Sequence, residues 1–482
     1  MARRHLWFLI FFSVGCLLRL LTVVGYRPAL WFPDSYAYLV SAMHPRPDLI
    51  RPGGYSGLLW LLEPLHSLAA VAVVQHLLGL ATAVLVYVAA RALRAPGWAA
   101  TLAPVPVLLD PYQVELEHLL LSESLFMFLV TAGAVLALWV SSSRPTWGPR
   151  WGTAAAAGLA MGLATLTRTV ALPLIAVLVA GLLIAGGRPF RPKLKTAFVA
   201  FIAAIIPIVG YMGWFAVEHG RFAISGANGA FLYARTMAFA DCAVMRPPPR
   251  LAVLCDPTPA GDRPPSQDYI WSADSPLSRL PGHKFGAANN ALAQEFAVRA
   301  ILAQPGDYLA TGLADLWRTF RWDRPVYPDQ SIYDAYEFPV VTPPPPTRTP
   351  QVVGARFARI YERGEIATRV VEPYAGWLRA IQDHVRLPGP VLLAVLLTPV
   401  GAGLLLFVRG GRPRDPERVR RPRLAALRTV APALIPWACA VVLVALPPMI
   451  AEFDYRYVLP AVPLACLAWA LCFRPNASRD MS

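Results

Sequence analysis

The stretch LWFLIFFSVGCLLRLLTVVGY (residues 6–26) is followed, after four further residues, by Trp31-Phe32-Pro33-Asp34-Ser35-Tyr36-Ala37-Tyr38. An apolar run of about 20 residues spans a bilayer, and the basic start Arg3-Arg4-His5 places the N-terminus inside. A cleaved signal peptide competes, and Ser13-Val14-Gly15-Cys16 faintly resembles a lipoprotein cleavage site. The run continues past Cys16, however, and more such runs follow, so the segment is read as a retained span. Asp34 is then a carboxylate placed where the chain has just surfaced.

The whole chain agrees with this start. Of its 482 residues, 56% are hydrophobic and 15% charged, an apolar excess that excludes an ordinary soluble domain. The net charge of +15 falls in short basic clusters between apolar runs, the positive-inside pattern rather than a nucleic-acid groove. Apolar segments are read at about 6–26, 68–90, 98–112, 119–140, 152–167, 170–187, 197–217, 389–408, 430–450 and 457–473. Ten spans put every basic cluster on one side, including Arg144, Arg188 and the Arg-rich loop 409–428, with both termini cytoplasmic. The expected architecture is all-α and membrane-embedded. It has an N-terminal transmembrane module (1–217) with a first outer loop (27–67), an extracytoplasmic region (218–388) and C-terminal transmembrane helices (389–482).

The long outer region is Pro-rich and polar. Leu309, Leu313, Leu316, Trp317 and Phe320 recur at helical spacing, which predicts an amphipathic helix suited to the membrane surface. Residues 287–303 and 352–384 also read as helical, the latter with breaks at Gly364 and Pro373. Cys242 and Cys255 lie together on the outer side, where disulfides persist, and a bridge between them is expected; two free thiols are the alternative. No Cys/His spacing suggests zinc.

Few residues qualify for chemistry. Asp34 reads either as the N-cap of the helix starting nearby or as a general base for an incoming hydroxyl, and the two roles are compatible. Tyr38, one helical turn on, would line the same face. Asp110, Glu115 and Glu117 supply carboxylates in a second outer loop, though Asp110-Pro111 is also a plain turn signal. Glu123 sits at the start of a span, where a carboxylate is expensive and is either functional or paired with an Arg. Arg168 joins two short spans. Arg456, flanked by Tyr455 and Tyr457, opens the last; snorkelling beside an aromatic belt is its structural alternative. Arg19 within the first span, and Arg51 and His44 in the first loop, rank lower.

The order of these features resembles the GT-C superfamily of polytopic glycosyltransferases, its protein-mannosyltransferase-like and aminoarabinose-transferase-like branch in particular. The matching features are the Asp after the first span, the acidic second loop, Leu119-Leu120-Leu121-Ser122-Glu123-Ser124-Leu125-Phe126 entering the fourth span, and Tyr455-Arg456-Tyr457-Val458-Leu459-Pro460 opening the last. The resemblance covers about the first seven spans and the last. It implies transfer of a sugar from a polyprenyl-phosphate carrier, with inversion, to a glycan, glycolipid or protein hydroxyl on the outer face of the cytoplasmic membrane. Asp34 matches the family's first-loop acidic residue; Ser35 stands where many members have a second one, which weakens a paired-acid metal site. Arg168 and Arg456 are the candidates for the donor phosphate, and Glu123, Tyr38, Tyr455 and Tyr457 for the pocket wall. No cofactor is specified; a divalent cation is admissible, with Asp34 and Glu117 as oxygen donors. A transporter or lipid-linked-sugar flippase would need polar residues near mid-span. A polysaccharide polymerase or ligase would rely on Arg and His in the large loop, and a non-catalytic scaffold is the residual reading.

Overall fold

The computed structural model describes residues 5–141, 150–184, 190–409 and 420–475. Each of the ten expected apolar segments is helical over most of its described residues. They are α1 (Leu6–Gly25), α4 (Leu68–Ala92), the broken pair α5 (Gly97–Leu102) and α6 (Val105–Leu109), α8 (Glu123–Ser141), α9 (Arg150–Thr167), α10 (Leu172–Ile184), α11 (Phe190–His219), α21 (Gly389–Arg409), α22 (Arg420–Ile450), and α23 (Tyr455–Val458) continuing into α24 (Val462–Cys472). Among the described residues, α1, α4, α11, the 431–450 part of α22 and the 455–472 segment are long and apolar enough to cross a membrane. The remaining apolar helices are shorter. Pro104 and Pro106 explain the break between α5 and α6, because proline removes a backbone donor and clashes with the preceding turn. Of the basic residues behind the inside assignment, Arg3, Arg4, Arg144, Arg188, Arg412, Arg414 and Arg418 lie outside the described residues.

The bundle closes by small-residue packing. In lipid no hydrophobic force drives helices together, so close backbone approach counts for more. A Cβ on Gly158 of α9 would lie 1.9 Å from the Ala200 carbonyl oxygen of α11, and one on Gly162 would lie 2.4 Å from that of Ala204. Only hydrogen permits this contact. Outward-facing Leu, Ile and Phe side chains cover α1 and α11.

Between α1 and α4 the chain forms α2 (Pro33–Met43) and α3 (Gly54–Leu62); α7 (Pro111–His118) precedes α8. The region 218–388 is mainly helical. Its helices are α12 (Asn228–Thr236), α13 (Cys242–Met245), α14 (Pro249–Ala252), α15 (Asp268–Trp271), α16 (Ala287–Ala303), α17 (Pro305–Arg318), α18 (Gln330–Asp334), α19 (Thr349–Glu362) and α20 (Tyr374–Gln382). Part of it builds its own core around Tyr233, Tyr269, Phe296 and Ala297. A disulfide joins Cys242 to Cys255.

Two backbone ties fix the first loop. Strand β1 (Tyr26–Arg27) pairs antiparallel with β2 (Arg369–Val370). The fourth span begins later than its apolar content suggested: residues 119–122 precede the helix, and Leu30 bridges Leu119 in parallel. The Leu120 amide donates to the Leu30 carbonyl at 3.2 Å, and the Leu30 amide to that of His118 at 3.1 Å. The start of α8 is thereby held beside the start of α2.

Candidate active site

Helix α2 begins at Pro33, whose fixed φ suits the first helical position. Phe32 is therefore the cap residue, and its amide donates to Ser35 Oγ at 3.0 Å. Asp34 does not cap the helix, contrary to one of its sequence readings. It lies in the first turn, where the helix dipole favours an anion, and its side chain is free to point elsewhere. On its other face α2 packs on α19: a Cβ on Gly354 would meet Tyr36 Cβ at 2.5 Å, so the helices touch backbone to backbone.

The Asp34 carboxylate sits between two guanidiniums. Arg51 binds Oδ1, and Arg456 Nη1 donates to Oδ2 at 3.0 Å. Arg456 in turn donates from Nε to Asp454 Oδ2 at 2.9 Å and lies 3.6 Å from Glu123 Oε1. Arg168 binds Glu123 Oε1. The site is thus a chain of three arginines (51, 168, 456) and three carboxylates (Asp34, Glu123, Asp454), drawn from both ends of the sequence. Aromatic faces hold the cations: Arg456 lies over Phe32 at 4.5 Å and Arg168 over Tyr457 at 4.5 Å. Tyr336 donates to Asp454 at 2.7 Å. Tyr38 donates to Ser122 Oγ at 3.2 Å, and Ser122 to Glu123 Oε2 at 3.3 Å.

The two central carboxylates differ in access. The Asp34 side chain keeps 19% of its surface exposed and Glu123 only 1%. Only Asp34 can meet an incoming molecule without rearrangement. Burial alone would raise the Asp34 carboxyl, but Arg51 and then Arg456 outweigh it and hold it well below the usual carboxylate range. Burial, with the charges of Asp34 and Glu123, pushes the Tyr38 hydroxyl up to about 12, so it remains a donor.

The second-loop acids are engaged elsewhere. Asp110 caps α7 through the Tyr112 amide at 3.0 Å and also accepts from the Leu387 amide at 3.0 Å. Glu115 accepts from Gln382 at 2.6 Å, and burial raises its carboxyl well above the ordinary value. Glu117 is bound by both Arg19 Nε and Nη2 at 2.8 Å, by Gln113 at 3.0 Å, and lies 3.0 Å from His76 Nδ1. None of the three is brought to Asp34, and the guanidinium of Arg19 is consumed by Glu117 and backbone carbonyls. Tyr455 likewise turns away, packing edge-on against Tyr112 at 5.4 Å, so it does not share the wall formed by Tyr38 and Tyr457.

A joint oxygen set from Asp34 and Glu117 for a divalent cation does not form. Among the described residues no group of three or more His, Cys, Asp or Glu side chains is placed to hold a metal. Residues that sequence reasoning missed or ranked low are Arg51, Asp454, Ser122, Phe32 and Tyr336. Asp454 had a signal, standing two residues before Arg456 where it can cap α23 and bind the Arg456 side chain together. Arg51 had none: nothing in the Pro-interrupted segment 44–53 reveals that the chain doubles back onto α2.

Among solved structures, the chain aligns with ArnT from Cupriavidus metallidurans bound to undecaprenyl phosphate at 16% identity and a TM-score of 0.37, over 99% of this chain and 80% of that one. It aligns with the apo oligosaccharyltransferase of Archaeoglobus fulgidus at 13% identity and a TM-score of 0.44, over 98% and 50%. With the archaeal oligosaccharyltransferase AglB from Archaeoglobus fulgidus, in complex with an inhibitory peptide and a dolichol-phosphate, the values are 12%, 0.40, 96% and 50%. The chain spans half the length of these two archaeal structures. No curated protein matches it in sequence. Residues 62–221 match the family model of dolichyl-phosphate-mannose-protein mannosyltransferases. That match runs from the end of α3 to the end of α11 and includes Glu123 and Arg168.

Proposed function

We propose that this protein is an inverting glycosyltransferase that moves a sugar from a polyprenyl-phosphate carrier to an acceptor hydroxyl. The observation that carries the reading is the accessible Asp34 carboxylate held between Arg51 and Arg456, with Arg168 next in line. Guanidiniums recognise phosphate oxygens bidentately and keep their charge. Three arginines balanced by three carboxylates form a site that is neutral before the donor enters.

The donor phosphodiester brings one negative charge and competes with Asp34 for Arg456. As Arg456 and Arg168 turn to the phosphate, Asp34 loses a counter-ion and regains basicity. The acceptor oxygen then attacks the anomeric carbon, the bond from that carbon to the phosphate oxygen breaks with its electron pair going to phosphate, and the hydroxyl proton passes to Asp34. The arginines stabilise the charge that builds on the leaving phosphate. Tyr38, Ser122 and Glu123 hold Arg168 in place from below. Donor binds before acceptor in this scheme.

We place this face on the outer side of the cytoplasmic membrane. The termini are inside, the transmembrane modules are 1–217 and 389–482, and residues 218–388 lie outside over the acceptor path. The test uses the full chain in lipid with polyprenyl-phosphate sugars and a mixed cell-envelope extract as acceptor. Wild-type protein is expected to release polyprenyl phosphate and Asp34→Asn not to; equal release by both refutes the role given to Asp34.

A further inference from the structure

The site-bearing end of the bundle has a second arginine-lined recess that the proposed transfer does not use. Tyr455, one residue before Arg456, forms part of its wall. Arg318, Arg321, Arg324 and Arg386 line it, and Asp323 is the one carboxylate in the lining. Asp323 is 78% exposed, so its 3.1 Å contact with Arg386 is a weak, water-screened pair. Arg318 is held by Asp315 at 3.1 Å, and Arg324 by Glu337 and by the ring of Tyr333 at 3.6 Å. The exposed Arg321 side chain makes no hydrogen bond or ion pair with another described residue.

Two buried polar atoms in this lining have no partner. Arg324 Nε is unbonded although its side chain is only 3% exposed, and Thr319 Oγ1 is unbonded as well. An unmet buried donor costs about 1–3 kcal/mol, so such groups point to a ligand or water that completes them. Below the arginines the wall turns apolar. Leu392, in the first turn of α21, and Val458 and Val462, at the start of the last span, form its buried floor and belong to the bundle core.

The surroundings identify the medium. Helix α17 leads into the recess, and Leu309, Leu313 and Trp317 on one of its faces are each more than half exposed, as is Trp322 just beyond it. A face of this kind, ending in tryptophan and arginine where two membrane helices begin, lies in the interfacial layer of a bilayer. A cationic recess with unmet donors beside an exposed apolar helix face suits a lipid headgroup and its chains.

We propose that this recess seats the phosphodiester of an anionic membrane phospholipid, with its acyl chains along the exposed Leu309, Leu313 and Trp317 face of α17. Arg321 and Arg386 would reach the phosphate from the solvent side and Arg324 Nε from below. A lipid bound there would fasten the 318–325 turn to the ends of α21 and α24.

Native mass spectrometry of the full chain in detergent, with phosphatidylglycerol, phosphatidylcholine or diacylglycerol added, tests this. Phosphatidylglycerol is expected to be retained most. Arg321→Gln/Arg386→Gln should lower its retention roughly tenfold or more, because each charge-assisted bond lost is worth a factor of about ten. If the double variant melts early, Arg321→Gln alone, at an exposed position, carries the comparison and should lower retention in the same sense. Equal retention of phosphatidylglycerol and diacylglycerol, or no change in the variants, overturns the assignment. So does a polyprenyl phosphate that is preferred over phosphatidylglycerol and lost in the same variants, since the occupant would then be the carrier lipid.

Discussion

Replacing Asp34 by Asn should move binding and turnover in opposite directions. The substitution keeps size and one acceptor oxygen but removes the charge between Arg51 and Arg456. Arg456 retains Asp454 at 2.9 Å and Glu123 at 3.6 Å, so its position survives, while Arg51 loses its carboxylate. The cluster of three arginines and three carboxylates gains one net positive charge. At a separation of about 6 Å and an effective dielectric of about 20, one unit of phosphate charge gains about 3 kcal/mol from such a change. With screening by the neighbouring ions, polyprenyl phosphate should bind roughly tenfold to a hundredfold more tightly. Turnover should fall by about 10²–10⁴-fold, the usual worth of a positioned base. Titration calorimetry with polyprenyl phosphate, beside a donor-release assay on the same preparations, reads both. Weaker binding together with lower turnover would mean that Asp34 merely props up the site; unchanged turnover would refute its role outright.

Three further outcomes follow from the buried ionisable groups. Gly79→Ala would put a Cβ 2.0 Å from Glu117 Oε1 and force the carboxylate off Arg19. Breaking a buried pair costs about 3–5 kcal/mol, so a clear drop in melting temperature is expected, and an unchanged melt would refute the packing. Glu115→Gln should leave activity within about twofold, because burial disfavours the charged form of this acid and the amide oxygen can still accept from Gln382; a large loss would show that Glu115 acts as an anion. Glu452 is pushed up to about 8 by burial and by the charges of Asp454 and Asp315. Above about pH 4.5 the unfolded chain ionises this group while the folded protein keeps it protonated, so its cost to stability grows as pH rises toward 8. Glu452→Gln should therefore raise the melting temperature at pH 8 and leave it unchanged at pH 4; an equal shift at both would refute the assignment.

The sequence made the helices legible because each is a long apolar run, and proline marked the break between α5 and α6. Asp34, Glu123, Arg168 and Arg456 could be singled out because a charge at a span boundary stands out against its neighbours. Their partners could not. Arg19 and Glu117 were separate candidates in the sequence, yet they bind each other, and no local pattern shows that two charges 98 residues apart meet. The non-helical 119–122 segment reads as helix by composition; its backbone pairing with Leu30 is a tertiary choice. Arg51 reaches Asp34 only because the chain between them reverses, a matter of packing rather than periodicity.

The Asp34–Arg456 bond joins residues 422 positions apart, the first loop to the last span, and β1 waits for residues 369–370 to complete its ribbon. A ribosome must therefore deliver nearly the entire polypeptide before Asp34 meets Arg456. On the proposed reading, nascent and prematurely terminated chains would lack the assembled site and be inert.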